Sequence, residues 1–410
     1  MIDLTLVHEQ PEQFKSLIKK KDPSFPSDLF IELEKKVRIL TKQVEELRHQ
    51  KNELAKQGKM GVTHDLREKS IEIGKTLKEQ EHLLITTQEE FKKLYLRCPN
   101  IPLPEIPEGG KEGNSVVKEV GKKPEFTFEI KHHVELGTKL GWFDFQAAAL
   151  MSGNNFALYK GQGVKLIYAL VMFMLKHNES HGFSFVLPPY LVNEKSLEIA
   201  GNFPKFYDDV YAVTHDNLFL IPTSEVSLAN LYRDTIFSAS ELPIRLTAPT
   251  SCFRREAGGY GAAERGLIRI HQFEKVELYT YCVPEESNNE LTKMVDCAQE
   301  LLQKFNLHYR ISLLAAQDCS FPSAKTYDIE VWLPGQNRYM EVSSCSNCTD
   351  FQSRRGGMRY KKDAMNKTTL VHTLNSSSLA LPRLIAAIME TFQQPDGSIK
   401  IPDVLNPWFL

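Results

Sequence analysis

Phe253-Arg254-Arg255-Glu256, a polar Gly-rich run, and then Arg269-Ile270-His271-Gln272-Phe273-Glu274-Lys275-Val276-Glu277 form the stretch on which the reading of this chain turns. It reads as two strands joined by a long flexible loop. Strand alternation puts Arg254 and Glu256 on one face, and Phe273, Lys275 and Glu277 together on a face of the returning strand. Cations, an aromatic ring and carboxylates then converge. Such a set suits a phosphate, a planar base and an ammonium group. Alone, a charged hairpin is more often a solvated surface, so the rest of the chain has to decide.

The chain has 410 residues, 42% of them hydrophobic, enough for two or three domains. Its net charge of -2 gives no global nucleic-acid footprint, so any RNA contact must come from a local basic region. Met1 to Gln10 lacks the apolar core of a secretory signal. The longest apolar run, Leu166 to Leu175, is about half of what a bilayer span needs. Seven scattered cysteines show no disulfide rhythm. Cys345 and Cys348 have metal-like spacing but no second pair, and buried thiols are the plainer reading. The expectation is a cytoplasmic protein with no membrane segment.

From Ser27 to Arg97 the composition is Glu, Lys, Leu and Gln with almost no Gly or Pro. Phe30, Leu33, Val37, Leu40, Val44, Leu47 and Leu54 mark a coiled-coil seam, and Leu66, Ile73, Leu77, Leu84, Phe91 and Leu94 continue it. Gln57-Gly58-Lys59-Met60-Gly61 breaks the helix, which predicts an antiparallel hairpin arm about 45 Å long. Between Arg48 and Lys78, eight Lys or Arg stand against four Asp or Glu, so the distal end is basic. A dimerising or spacer coiled coil and an arm that binds RNA phosphate both fit this segment.

Cys98 to Pro124 turns to Pro, Gly and charge and reads as a linker. Beyond it, helices such as Gly163 to Lys176 mix with short β-rich runs at Phe185 to Leu187, Leu218 to Ile221 and Ile329 to Leu333. The pattern predicts α+β with a mainly antiparallel sheet flanked by helices. No P-loop or Rossmann glycine motif is present. The expected layout is an N-terminal domain over 1–97, a linker over 98–124 and a catalytic domain over 125–410.

The arm, the Pro-rich linker, His181-Gly182-Phe183-Ser184-Phe185-Val186-Leu187-Pro188-Pro189, the Phe253 to Glu277 stretch, and Leu374-Asn375-Ser376-Ser377-Ser378-Leu379-Ala380-Leu381-Pro382-Arg383 occur in one order. Together with Thr223-Ser224-Glu225 and Glu341-Val342-Ser343-Ser344 they make the chain resemble the bacterial-type seryl-tRNA synthetases, which are class II aminoacyl-tRNA synthetases. The resemblance covers essentially the whole chain. It implies ATP and L-serine as substrates, Mg2+ as cofactor, a homodimer, and tRNA(Ser), with tRNA(Sec), as partners reached through the arm. Only 27 residues follow Arg383, so a separate anticodon-binding domain is not expected there.

Residue by residue, the resemblance implies that Arg254, Glu256, Arg269 and Arg383 carry catalysis. It places Thr223, Ser224, Glu225, Arg254, Glu277 and Ser377 at serine. It places Arg254, Arg255, Glu256, Arg269, Ile270, Phe273, Glu341, Val342, Ser343, Ser344 and Arg383 at ATP, with Glu341 and Ser344 also holding Mg2+. The loop Gly258 to Gly266 is expected to meet the tRNA acceptor end. Two departures stand out. Ser376 and Ser378 replace usual glycines, which puts close backbone approach or positive φ there in question. Ala200 to Phe206 keeps only the Pro-Lys-Phe part of a G-T-G-Q-L-P-K-F-like loop. Two alternatives are a paralogue that adenylates serine without charging tRNA and a noncatalytic coiled-coil RNA-binding protein.

Overall fold

A computed structural model describes the chain except for Met60, Val62, residues 258–265, residues 364–366 and Leu410. It divides into two compact units, Met1–Pro99 and Asn100–Leu410.

In the first unit, α1 (Ser27–Gly58) and α2 (His64–Leu96) run side by side as the predicted hairpin. Phe30, Leu40, Val44, Leu77 and Phe91 of the predicted seam are buried. The base is knit by rings: Phe30 lies 5.3 Å from Phe14, 5.1 Å from Phe91 and 5.7 Å from Tyr95. Thr63 caps α2 through its hydroxyl, which accepts from the Leu66 N–H. Helix is lost between Gly58 and His64, within which Met60 and Val62 lie outside the described residues.

The second unit is built on one eight-stranded sheet. In chain order its strands are β1 (Ser115–Val120), β2 (Ser184–Phe185), β3 (Ile244–Phe253), β4 (Gln272–Cys282), β5 (Tyr309–Leu313), β6 (Lys325–Leu333), β7 (Arg338–Asn347) and β8 (His372–Ala380). Their spatial order is β1-β5-β6-β7-β8-β4-β3-β2, antiparallel except for the β2–β3 pair. The α+β expectation with a mainly antiparallel sheet therefore holds. Helices α3 (Gln162–Ser180), α5 (Ser287–Lys304) and α6 (Leu381–Thr391) cover one face. The short α4 (Ser224–Leu228) lies against β3 and β4.

Alternation along β4 and β8 decides what reaches each face. Val276 and Leu278 join the core beneath α3, α5 and α6, whereas Tyr279 and Tyr281 join a second core on the other side. Phe273, Lys275 and Glu277 share the face of Tyr279. On β8, Leu374 and Leu379 enter the helical core. The register skips at Ser378, between Ser377 opposite Glu277 and Leu379 opposite Val276. A second skip, at Val342, sets Glu341 opposite Glu330 and Ser344 opposite Asp328. Since Asp328 and Glu330 are two apart on β6, this bulge brings Glu341 and Ser344 to one face, which regular alternation forbids.

The segment 98–124 is not a free linker. Asn100 donates to the Pro322 and Cys348 carbonyls at 2.8 Å each, Ile106 is buried with Leu314 and Cys319, and Ser115–Val120 is the sheet's edge strand. Isolated apolar residues among the prolines pin the segment down, a signal too sparse for a composition reading.

The departures from family glycine also resolve. Ser376 and Ser378 are fully buried, and neither has a positive φ. Ser376 Oγ lies 3.2 Å from Ser343 Oγ and 3.0 Å from Cys345 Sγ; Ser378 Oγ donates to Asn178 Oδ1 on α3 at 3.1 Å. Both hydroxyls find partners on the helical side. In the altered Ala200 to Phe206 loop, Gly201 ends a short helix at φ 97°, a conformation that favours glycine. Phe203 is buried against Phe219 and Tyr207. Ser378→Gly is expected to cost about 1–2 kcal/mol in a denaturant titration, from a lost hydrogen bond and added chain entropy. It should leave serine kinetics unchanged.

Candidate active site

The chain leaves the sheet after Phe253, so Arg254 and Glu256 are not on a strand face as alternation predicted. Glu256 has φ 53°, a left-handed backbone, and its carboxylate turns to Arg269 at 2.6 Å. The register is still held, because the Arg254 N–H donates to the His271 carbonyl at 2.8 Å. A cavity of about 250 Å³ opens here, lined by Arg254, Glu256, Arg269, Ile270, Phe273, Lys275, Glu341, Ser377 and Arg383 among others. Residues from three separate stretches of sequence, 253–277, 341–344 and 374–383, thus meet in one place.

Each lining group is fixed by the fold. Arg254 donates from Nε to the Pro222 carbonyl at 3.2 Å, and its guanidinium lies 5.3 Å from the Phe273 ring centroid. Arg383, in the first turn of α6, donates to the Glu341 carbonyl at 2.8 Å and lies 3.4 Å from the Glu341 carboxylate. Gly266 starts the turn that carries Leu267 and Ile268; at φ 72°, a Cβ there would fall 2.2 Å from Val134 Cγ2. The loop expected at the acceptor end lies outside the described residues from Gly258 to Arg265.

Next to Lys275 of the lining, β4 faces the start of α4. Thr223 caps α4, accepting from the Glu225 N–H at 3.2 Å. Its hydroxyl donates to Glu277 Oε2 at 2.9 Å and accepts from Lys275 Nζ at 2.7 Å, while Lys275 also pairs with Glu277 Oε2. Glu225 accepts from Gln352 at 2.7 Å and Asn375 at 2.9 Å. Burial, reinforced by the nearby Glu277 carboxylate, pushes Glu225 up to about 7 against the pull of Lys275 and Gln352.

Of the predicted site residues, Thr223, Glu225, Glu277 and Ser344 lie outside the cavity lining, and Ser224, Arg255, Val342 and Ser343 turn their side chains to other partners. Ser224 is fully buried and its hydroxyl meets Thr250 at 2.5 Å. Arg255 turns outward and donates to the Asp208 carbonyl at 3.1 Å. Val342 is in the helical core, and Ser343 donates to the Ser377 carbonyl. Neighbouring residues in these segments alternate in direction, so a motif quoted whole includes some that face away.

Glu341 and Ser344, brought to one face by the bulge, carry oxygen atoms of the kind a hard cation takes. Burial and the Glu341 carboxylate push the adjacent Asp328 well above the ordinary carboxylate range, and Asp328 Oδ1 is buried without a hydrogen-bond partner among the described residues. Excess buried carboxylate beside a hydroxyl fits Mg2+ in chemistry. Cys345 and Cys348 are buried thiols, the latter accepting from Asn375 at 3.4 Å. His177, His181 and Cys297 also cluster, but His177 bonds the Cys297 carbonyl at 2.9 Å and Lys304 at 2.7 Å, a satisfied packing network.

Sequence reasoning assigned no role to Lys275, Asp328, Gln352 or Asn375. Alternation with Phe273 and Glu277 was signal enough for Lys275; the others depend on long-range packing.

The sheet and cavity are those of the class II aminoacyl-tRNA synthetases. The family described as the tRNA synthetase class II core domain (G, H, P, S and T) matches residues 210–392, and the seryl-tRNA synthetase N-terminal domain matches residues 1–102. A serine–tRNA ligase of Desulforapulum autotrophicum is 42% identical over all of this chain and 97% of its own length. One of Leptospira biflexa is 43% identical over the whole of both chains. The seryl-tRNA synthetase of Pyrococcus horikoshii complexed with ATP superposes with a TM-score of 0.94 at 34% identity, over 100% of this chain and 98% of that one. The chain belongs to the seryl-tRNA synthetase family.

Two outcomes follow. Arg254→Ala is expected to lower amino-acid-dependent ATP–pyrophosphate exchange at least about 100-fold without loss of folded protein by circular dichroism, as removal of a charge-stabilising donor does. Glu225 takes up a proton as pH falls through about 7, and a neutral acid cannot pair with an ammonium group. The KM for serine should therefore rise about tenfold per unit below that pH, and the slope should vanish in Glu225→Gln.

Proposed function

We propose that the protein is a serine–tRNA ligase, which activates L-serine with ATP and transfers it to the 3′ end of tRNA(Ser). The observation that carries this is the cavity lined by Arg254, Arg269, Phe273 and Arg383, whose wall residue Lys275 reaches the neighbouring Thr223 and Glu277. The serine carboxylate attacks the ATP α-phosphorus, pyrophosphate leaves, and seryl-adenylate forms. The terminal ribose hydroxyl of the tRNA then attacks the acyl carbon and AMP leaves.

No protein nucleophile is needed, so the residues act by position and charge. Arg254 neutralises the α-phosphate and the amino-acid carboxylate, and Arg269 the γ-phosphate end. Phe273 and Arg383 sandwich the adenine, and Glu256 meets its amino edge. Thr223 and Glu225 take the serine ammonium; Glu277 and Ser377 take its hydroxyl. Glu341 and Ser344 would hold Mg2+, which when bound supplies charge neutralisation at the phosphates.

Two further parts of the reading concern partners. On α3, Tyr168 and Met172 lie one turn apart with 58% and 49% exposure, and Phe185 and Leu187 nearby in sequence are 53% and 72% exposed. Large apolar groups left this open support a homodimer through this face. The basic end of the α1–α2 hairpin supports tRNA binding, and family resemblance extends this to tRNA(Sec). The free cysteines fit a cytoplasmic setting, and among the described residues no helix is long and apolar enough to cross a membrane.

Charging assays with tRNA(Ser) test the whole reading. Reversing Lys51, Lys56 and Lys69 to Glu is expected to leave serine activation within about twofold while cutting charging at least about tenfold, with a shallower salt dependence. Normal charging by that variant would remove the arm from tRNA recognition.

A further inference from the structure

Lys275 is 6% exposed and sits on the cavity wall between Phe273 and Glu277. A buried ammonium needs a reason, because its desolvation is costly unless it is paired and hydrogen-bonded. Here its partners are Thr223 Oγ1 at 2.7 Å and Glu277 Oε2. Thr223 completes a closed triangle by donating to the same Glu277 oxygen at 2.9 Å.

The consequence lies in which oxygen is used. Both contacts fall on Oε2 rather than on Oε1. Glu277 itself is 1% exposed, and the Ser377 backbone lies directly opposite it in the sheet. Left to itself, a glutamate side chain rotates about three torsions and can turn either oxygen, or neither, to a ligand. Lys275 and Thr223 remove that freedom. Lys275 also supplies countercharge for two carboxylates, since it pairs with Glu277 and its field acts on Glu225.

We infer that Lys275 is a specificity-determining positioning residue, which locks one oxygen of Glu277 and presents the other as the fixed acceptor for the hydroxyl of the amino-acid substrate. This rests on the reading of Glu277 as hydroxyl acceptor. An acceptor held this way discriminates by the penalty of leaving it unpaired: alanine, lacking the hydroxyl, strands Oε1, whereas a loosely held glutamate can turn away and escape the penalty. The effect of Lys275 is therefore on the serine-to-alanine ratio rather than on the phosphate chemistry.

A double-mutant cycle on the full chain tests this by ATP–pyrophosphate exchange with serine and with alanine. Glu277→Gln is expected to narrow the ratio of kcat/KM values at least about 100-fold. Lys275→Met should narrow it at least about tenfold, through a raised serine KM, with the KM for ATP and the unfolding midpoint little changed. In the Glu277→Gln background, where the amide needs no countercharge, Lys275→Met should change the ratio less than about threefold. Lys275→Gln, which keeps a donor, replaces Lys275→Met if the latter does not fold. Independent, multiplicative losses in the two variants, or an unchanged ratio in folded Lys275→Met, overturn the inference while Glu277→Gln still reports its own effect. An unchanged ratio in Glu277→Gln overturns the acceptor reading and the inference with it.

Discussion

Two carboxylates, Glu225 and Glu277, are brought close enough inside the second unit that the charge of Glu277 acts on Glu225. Such a pair is held only if opposite charge and hydrogen-bond donors surround it. Lys275 and Thr223 serve Glu277, and Gln352 and Asn375 serve Glu225. Gln352 is fixed in turn by the Tyr279 and Thr373 hydroxyls at 2.7 Å each. Strands β4 and β8, helix α4 and the segment around Gln352 are all committed to this arrangement. The charge of this arrangement is thus set in advance by the fold rather than by whatever enters it.

The sheet does the aiming. Alternation sends Phe273, Lys275 and Glu277 to the cavity side and Val276 and Leu278 to the core under the helices. Two bulges adjust what alternation alone cannot. The one at Val342 unites Glu341 with Ser344, and the one at Ser378 lets Ser377 line the cavity while Leu379 returns to the core. The serines flanking Ser377 face the helical layer, so their hydroxyls are a matter of core packing rather than of substrate contact.

Much of this was legible in the residues. The arm's seam follows from three-and-four spacing, and the cavity-facing side of β4 follows from alternation, because both are local periodicities that burial enforces. What escaped is of other kinds. The left-handed turn at Glu256 depends on a pairing with Arg269 across a long loop. The outward turn of Arg255, and the inward burial of Ser224, Val342 and Ser343, depend on which neighbour offers a partner. The packing of residues 98–124 rests on a few apolar side chains and one buried asparagine, and their local composition is that of a linker. Lys275 had the right position in the sequence, but its contact with Thr223, 52 residues away, is a property of the fold.

The central claim is that this cavity forms an adenylate of serine and of no other standard amino acid. The most direct measurement is ATP–pyrophosphate exchange by the purified protein with magnesium, each standard amino acid supplied in turn. The account predicts exchange stimulated by serine alone. Equal stimulation by alanine, or no exchange from folded protein, would contradict it.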